Sequence, residues 1–293
     1  MKRFNLLVLA AAAALVLTSC GKKNTASIQS ISGDKVSATL NTDSMDLEFS
    51  NRDTEYDYDE SAAVVSDSEN EIKITAAGTY VISGKHKSVT VKADDSAKIR
   101  LILKNAEISN TEGPAIYIEQ ADKVFITAYK GTVNTVADSA DYSAGFSDTN
   151  VDAAIFSKAD LTVNGEGTLN AVGNKKCGIA SKDDLIICGL NLNVTSIGCA
   201  LEGKDCVKTK DSAIVVTSGG DGIKSTNSED GSKGFVYVEN GNINITSQND
   251  GLQAVTLAKI ANGIIKITAG GGVSEKTVGG NGGGFNKNNA AAS

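Results

Sequence analysis

Two aspartates sit in tight, glycine-flanked turns one repeat apart, Gly219-Gly220-Asp221-Gly222 and Gln248-Asn249-Asp250-Gly251. Carboxylates brought that close repel one another unless a cation lies between them. The segment after Lys224 adds Asn227, Glu229 and Asp230, and calcium takes about six to eight oxygens from carboxylates, amides, backbone and water. These residues predict a calcium site, although Asp-Gly is also a common turn pair whatever the turn holds. Lysines recur in a second row, Lys158, Lys182 and Lys204, with Lys224 one position earlier in its repeat. Such a row could meet the carboxylates of a polyuronate. It could equally pair with Asp160, Asp183, Asp184 and Asp205 beside it as a solvated ladder. Cys177 and Cys199 occupy the same repeat position, so a disulfide between neighbouring repeats and a buried stack of thiols are both open. Cys188 and Cys206 complete the set, and no Cys or His spacing in the chain suggests zinc. No nucleophile elbow or phosphate loop is visible, and His86 has no counterpart in other repeats.

The elements that must carry these residues are short strands. Segments beginning at Ala154, Gly178, Ala200, Gly222 and Gly251 align, 24, 22, 22 and 29 residues apart. Each is followed by a second apolar run and then by an alternating one: Leu169/Ala171, Leu192/Val194, Ile214/Val216, Ile243/Ile245 and Ile265/Ile267. A unit this small cannot bury its own apolar face and must stack on its neighbours. Three strand-like runs per unit, with no convincing helical period, predict an all-β, right-handed parallel β-helix of about 22 residues per coil. Ile155, Ile179, Leu201, Ile223 and Leu252 would form one internal ladder, and Leu161, Leu185, Val207 and Leu257 another. The corner residues would then be Ala153, Cys177, Cys199, Asp221 and Asp250. Periodicity lapses between Thr135 and Asp152, which reads as a loop leaving the solenoid.

Composition and the N-terminus narrow the setting. Of 293 residues, 30 are Gly, one is Pro, one is His and none is Trp, and the net charge is −7. An acidic chain has no basic face for nucleic acid. Met1-Lys2-Arg3 and the apolar run Leu6 to Leu17 have the layout of an export signal, too short to span a bilayer. The run ends in Leu17-Thr18-Ser19-Cys20-Gly21, which resembles a bacterial lipobox and implies lipidation of Cys20 and a membrane-anchored mature protein. The expected organisation is a signal peptide (1–19), an acidic tether (20–68), one elongated β-helix (69–270) and a Gly/Asn-rich tail (271–293).

With the coils placed, three segments carry a resemblance. Ala153-Ala154-Ile155-Phe156-Ser157-Lys158-Ala159-Asp160-Leu161-Thr162-Val163-Asn164-Gly165 is the first. Gly219 to Ser225 with Asn227, Asp230 and Lys233-Gly234-Phe235-Val236-Tyr237-Val238 is the second, and Asn249-Asp250-Gly251-Leu252-Gln253-Ala254 the third. Together they resemble the bacterial carbohydrate-binding β-helix lipoproteins first recognised in a cellulolytic clostridium. The resemblance implies a polysaccharide-lyase-like β-helix with bound calcium that binds cellulose or polygalacturonate without established cleavage. Carried over, Asp221, Asn227, Asp230 and Asp250 become calcium ligands, with Asp152 a weaker one. This chain departs from the pattern at Cys177, where the family usually has His, and at Cys199, where it usually has Asp. The expectation is therefore a surface lipoprotein whose lysine row and nearby Tyr117, Tyr129 and Tyr237 meet a polysaccharide. A pectate-lyase-like enzyme with Lys182 or Lys204 as base is the first alternative, and an adhesive or structural surface protein the second.

Overall fold

The computed structural model describes residues 42–56, 61–65, 70–147 and 150–270. The expected signal peptide, the lipidation site Cys20 and the tail 271–293 lie outside the described residues. Every strand pairing is parallel and joins one coil to the next, as a parallel β-helix requires. We call the three sheets PB1, PB2 and PB3 in the order in which each coil visits them.

PB1 is an eight-stranded sheet running from Glu71–Ile74 through Ala153–Ser157, Cys177–Ser181, Leu201–Gly203 and Ile223–Ser225 to Leu252–Gln253. PB2 contains Lys123–Ala128, Asp160–Gly165, Asp184–Cys188, Cys206–Lys210, Phe235–Val238 and Leu257–Ile260. PB3 contains Val133–Ala137, Thr168–Gly173, Asn191–Ser196, Ser212–Ser218, Gly241–Ser247 and Ile264–Ala269. The two are continuous in the first coils, because the strand Lys98–Ser109 pairs with PB2 through its first half and with PB3 through its end.

Alternation explains the core. On PB1, Ile155, Ile179, Leu201, Ile223 and Leu252 pair in register and point inward. Burying each such side chain stabilises the coil stack by roughly 1.5–3 kcal/mol. The alternating runs form the PB3 ladder as expected. One assignment is corrected. The PB2 inner ladder Leu161, Leu185, Val207 continues through Val236 to Ala258, whereas Leu257 pairs with Phe235 and faces outward. Space at the corner before PB1 is tight. A Cβ on Gly222 would lie 2.6 Å from Ile245 Cγ2 and 2.5 Å from the Gly251 carbonyl, so the close approach of coils there requires glycine.

Two segments expected to leave the solenoid lie on it. The strand of the Thr135 region continues to Ala137, and residues 138–147, with a short helix at Ala144–Ser147, fold back over PB1. The reading of 20–68 as a solvated tether is corrected for two described parts. Ala63–Val64 pairs with Tyr80 and Val81, and residues 45–56 form a strap across PB2. Met45, Leu47 and Phe49 cover Cys206, Phe235, Tyr237 and Leu257. Lys208 Nζ donates to the carbonyls of Asp46 (3.2 Å) and Glu48 (2.7 Å). Further along, Asp53 is buried against Thr162 and Lys123, and Arg100 donates to the carbonyls of Arg52 and Glu55. Outward polar groups of PB2 that would otherwise be solvated are satisfied by the strap instead.

Candidate functional site

The outward ladder of PB1 changes character along the helix axis. Tyr117, Phe156, Ala180, Glu202, Lys224 and Gln253 stack in register, apolar at one end and polar at the other. Over the apolar half lie Tyr142 and Phe146, edge-on to one another, with Phe146 also edge-on to Tyr117. Tyr142 is anchored there, its hydroxyl 2.7 Å from Asp138 Oδ2 and 3.0 Å from the Ala153 carbonyl. Burial pushes the Asp138 carboxyl up, and burial beside that carboxylate pushes the Tyr142 phenol up.

Where this cover ends, charged groups converge. Cys177 and Cys199 are joined by a disulfide between adjacent coils, with Cα atoms 4.6 Å apart. Their sulfurs lie 3.8 and 3.5 Å from Oε2 of Glu202, a buried carboxylate. Glu202 is held by two lysines, Lys182 at 3.6 Å and Lys224 at 3.3 Å, and Lys224 also reaches Asp221 at 3.6 Å. Asp221 accepts the backbone N–H of Asp250 on the next coil at 3.3 Å. Asp250 itself is exposed.

A second row follows the turn between PB1 and PB2. Lys158, Lys182 and Lys204 stand on successive coils, tied by backbone bonds from Lys182 to Ser157 and from Lys204 to Ser181. Lys158 Nζ lies over the Tyr117 ring at 5.5 Å, Lys182 over Phe156 at 5.2 Å, and Lys204 is 3.8 Å from the exposed Glu229. Lys224 does not belong to this row. It pairs with Glu202, two residues before the rung of Lys204, where the sequence alignment had placed it one position early.

Across the turn stand the aspartates. Ligand oxygens of Asp160, Asp183 and Asp184 lie within 4.8 Å of one another. Burial and the neighbouring carboxylates push Asp183 up to about 7. Asp205, opposed by burial but gripped by Lys233 and Asn227, stays below the ordinary carboxylate range. An acid whose native pKa is raised loses stability as pH climbs from its unfolded value toward its native one. Asp183→Asn is therefore expected to stabilise the fold at pH 8 by about 1–2 kcal/mol, after discounting for water around this half-buried group. The gain should vanish at pH 4. Equal thermal shifts at both pH values would contradict this account of the cluster.

A family profile described as "carbohydrate-binding domain-containing protein" matches residues 68–291. The chain belongs to that family. A relative of the same description from Acetivibrio thermocellus is 32% identical over 260 residues, covering 88% of this chain and 87% of its own. Among solved structures, a polysaccharide lyase-like protein from C. thermocellum, in a gadolinium derivative, superposes with a TM-score of 0.61 at 29% identity. The match covers 73% of this chain and 90% of that one.

Within this carbohydrate-binding family member, the expected calcium ligands do not form one cluster. Asp221 and Asp250 precede their PB1 strands, whereas Asn227 and Asp230 follow the strand Ile223–Ser225 and lie at the opposite edge of the sheet. Asn227 is buried, donates to Asp205 at 2.6 Å and accepts the N–H groups of Glu229 and Asp230, so its role is to fold the 226–234 turn. Asp230 accepts from Ser232 within the same turn. Asp152 is ion-paired with Lys176, the residue immediately before Cys177. Tyr237 is covered by Phe49 and removed from the exposed aromatics. Cys188 and Cys206 are free and buried, burial pushing Cys188 up to about 12, and the Cys206 thiol donates to Asp184 at 3.1 Å. Glu202 went unnoticed in the sequence. Its signal was present, because the rung alignment places a carboxylate between Ala180 and Lys224.

Proposed function

We propose that the chain is an exported, lipid-anchored protein that binds an acidic, uronate-rich polysaccharide along the edge of PB1 without cleaving it. The observation that carries this reading is the register of Lys158, Lys182 and Lys204 on consecutive coils at one edge of PB1, the first two over the Tyr117 and Phe156 rings and Lys204 beside the polar half. Parallel strands repeat every ~4.8 Å, close to the rise of one sugar in an extended polyuronate. The row can therefore offer one ammonium per coil to successive carboxylates. Family membership supports carbohydrate as the partner class. Lys182 and Lys224 are both committed to Glu202, which favours holding over proton abstraction.

Calcium belongs to this proposal as a bridging ion. Asp221 and Asp250 on adjacent coils supply two carboxylates, short of the six to eight oxygens that calcium takes. Lys224 already partners one of them. Water and the uronates themselves would complete the shell, so calcium and polysaccharide would bind together. Affinity gel electrophoresis with polygalacturonate tests both parts. Substituting Lys158, Lys182 and Lys204 by alanine should weaken retention about tenfold or more. In Asp221→Asn/Asp250→Asn the strengthening by calcium should disappear while calcium-free retention persists. Unchanged retention in the lysine variant would overturn the site. Ultraviolet absorbance from unsaturated product would replace the binding reading with a lyase. Incorporation of labelled fatty acid that is lost in Cys20→Ser tests the anchor.

A further inference from the structure

Where the strap 45–56 meets the first coils there is an open cleft of about 560 Å³, lined by Arg52 of the strap, by Lys98 and Arg100 of the strand Lys98–Ser109, and by Thr79, Ser96 and Phe125. Three of these side chains are cationic and no Asp or Glu lines the cleft, in a chain whose net charge is −7. Lys98 is paired with Asp122 at 3.1 Å. The two guanidiniums are not balanced in that way. Among the described residues Arg100 donates to neutral acceptors, the carbonyls of Arg52 and Glu55, each at 3.3 Å, and the Thr127 hydroxyl at 2.9 Å. It also lies over the Phe125 ring at 4.9 Å, and Lys123, over the same ring at 5.2 Å, is taken by Asp53. Arg52 is exposed, and its guanidinium makes no ion pair among the described residues. Burial and the neighbouring Arg52 guanidinium push Arg100 below its ordinary range, and Asp53 and Glu55 offset this in part.

We propose that this cleft holds a phosphate dianion, either free or as the monoester of a small polar molecule. Like charges gathered at one cleft repel one another unless an anion lies between them. A guanidinium meets a tetrahedral oxyanion through two parallel N–H···O bonds. A phosphate monoester carries about −1.5 to −2 charge at pH 7, enough to offset both guanidiniums, whereas one uronate carboxylate would offset a single one. The volume falls in the ~300–1,000 Å³ range of small-molecule sites and exceeds what one phosphate fills, which leaves room for the group that carries it. Thr79 adds a hydroxyl donor. The site exists while the strap is docked, because Arg52 belongs to the strap and Arg100 is oriented by two strap carbonyls. A ligand that binds the docked form alone stabilises it by mass action. The site is separate from the lysine row of PB1 and does not depend on the polysaccharide reading.

Isothermal titration calorimetry at pH 8 in chloride buffer, with inorganic phosphate and with glucose 6-phosphate, tests the site. The wild type should bind at least one of them with a Kd of about 1 mM or tighter. Arg52→Gln removes the charge but keeps the backbone carbonyl that Arg100 uses, and should weaken binding about tenfold. The deciding variant is Asp53→Ala. It removes a carboxylate near the cleft, so a surface that attracted anions by charge alone would bind more tightly. A site built by the docked strap should instead lose about tenfold or more, because the strap is released. An unchanged far-ultraviolet spectrum checks that the β-helix of each variant is folded. Tighter binding of glucose 6-phosphate than of inorganic phosphate assigns the site to a monoester, and the reverse order assigns it to the free ion; either supports the proposal. Three results would overturn it: no binding of either ligand by the wild type at about 10 mM, Arg52→Gln protein that binds like the wild type, or Asp53→Ala protein that binds as well or better. None of these results bears on the PB1 reading, which rests on other residues.

Discussion

Asp53→Ala is expected to release the strap from PB2 and to lower stability by about 3 kcal/mol. The carboxylate accepts from the Ser50 hydroxyl and the Thr162 hydroxyl, each at 2.6 Å, and is paired with Lys123 at 2.9 Å. Removing it leaves Thr162, which is fully buried, and Lys123 without that partner in a site shielded from water. A buried polar group deprived of its partner bears its whole desolvation cost, which is why truncation of one side is more damaging than the pair is stabilising. The effect is capped by the free energy of docking the strap, so the β-helix itself should stay folded. Trypsin cleavage after Arg52 should therefore accelerate while the far-ultraviolet spectrum is unchanged. Acid should produce the same release in the wild type. Burial alone would raise Asp53, but Ser50, Thr162 and Lys123 more than offset it and hold the carboxyl below its ordinary value. A lowered native pKa confers stability above the unfolded value that is lost as pH falls through the native one. Strap release should accordingly set in below about pH 4. An Arg52 site equally resistant in wild type and variant would show that the strap is held by Lys208 and Phe49 alone.

The Cys177–Cys199 bond carries the second large effect. It ties residues 22 apart in sequence on adjacent coils. Closing a loop of that length restricts the unfolded chain by about 3 kcal/mol on the chain-entropy account. For a domain of this size that corresponds to a midpoint shift of about 6–12 °C. Cys177→Ala/Cys199→Ala isolates the cross-link, because both positions are buried and alanine already occupies the same rung at Ala153. A reducing agent should lower the midpoint of the wild type by that amount and leave the double variant unaffected. Equal response of the two proteins would mean that the corner is held by packing and not by the bond. The cross-link also binds together the two coils that immediately precede Asp221.

Much of this architecture was legible because a β-helix writes its geometry into sequence once per coil. The inward ladder of Ile155, Ile179, Leu201, Ile223 and Leu252 could be aligned by eye, since a residue that faces the core in one coil must do so in the next. The same register paired Cys177 with Cys199 and set Asp221 beside Asp250. It failed where a coil changes length. The 29-residue interval puts its extra residues in the turn 226–234, which holds Asn227 and Asp230 at the far edge of PB1, away from Asp221 and Asp250. It also failed at Leu257, because apolar character alone does not tell an inward rung from an outward one that another segment covers.

The sequence by itself determined the coil, its period, the inward ladders of PB1 and PB3 and the residues that stack at its corners, because nearest-neighbour stacking repeats a local pattern. Only the tertiary structure decided which outer faces are open. The strap reaches PB2 from more than a hundred residues away, with Asp53 meeting Thr162, and residues 138–147 fold onto PB1. Contacts of that range have no period, so nothing in the repeat announces them. Among the described residues they leave the lysine edge of PB1 and the outer face of PB3 uncovered.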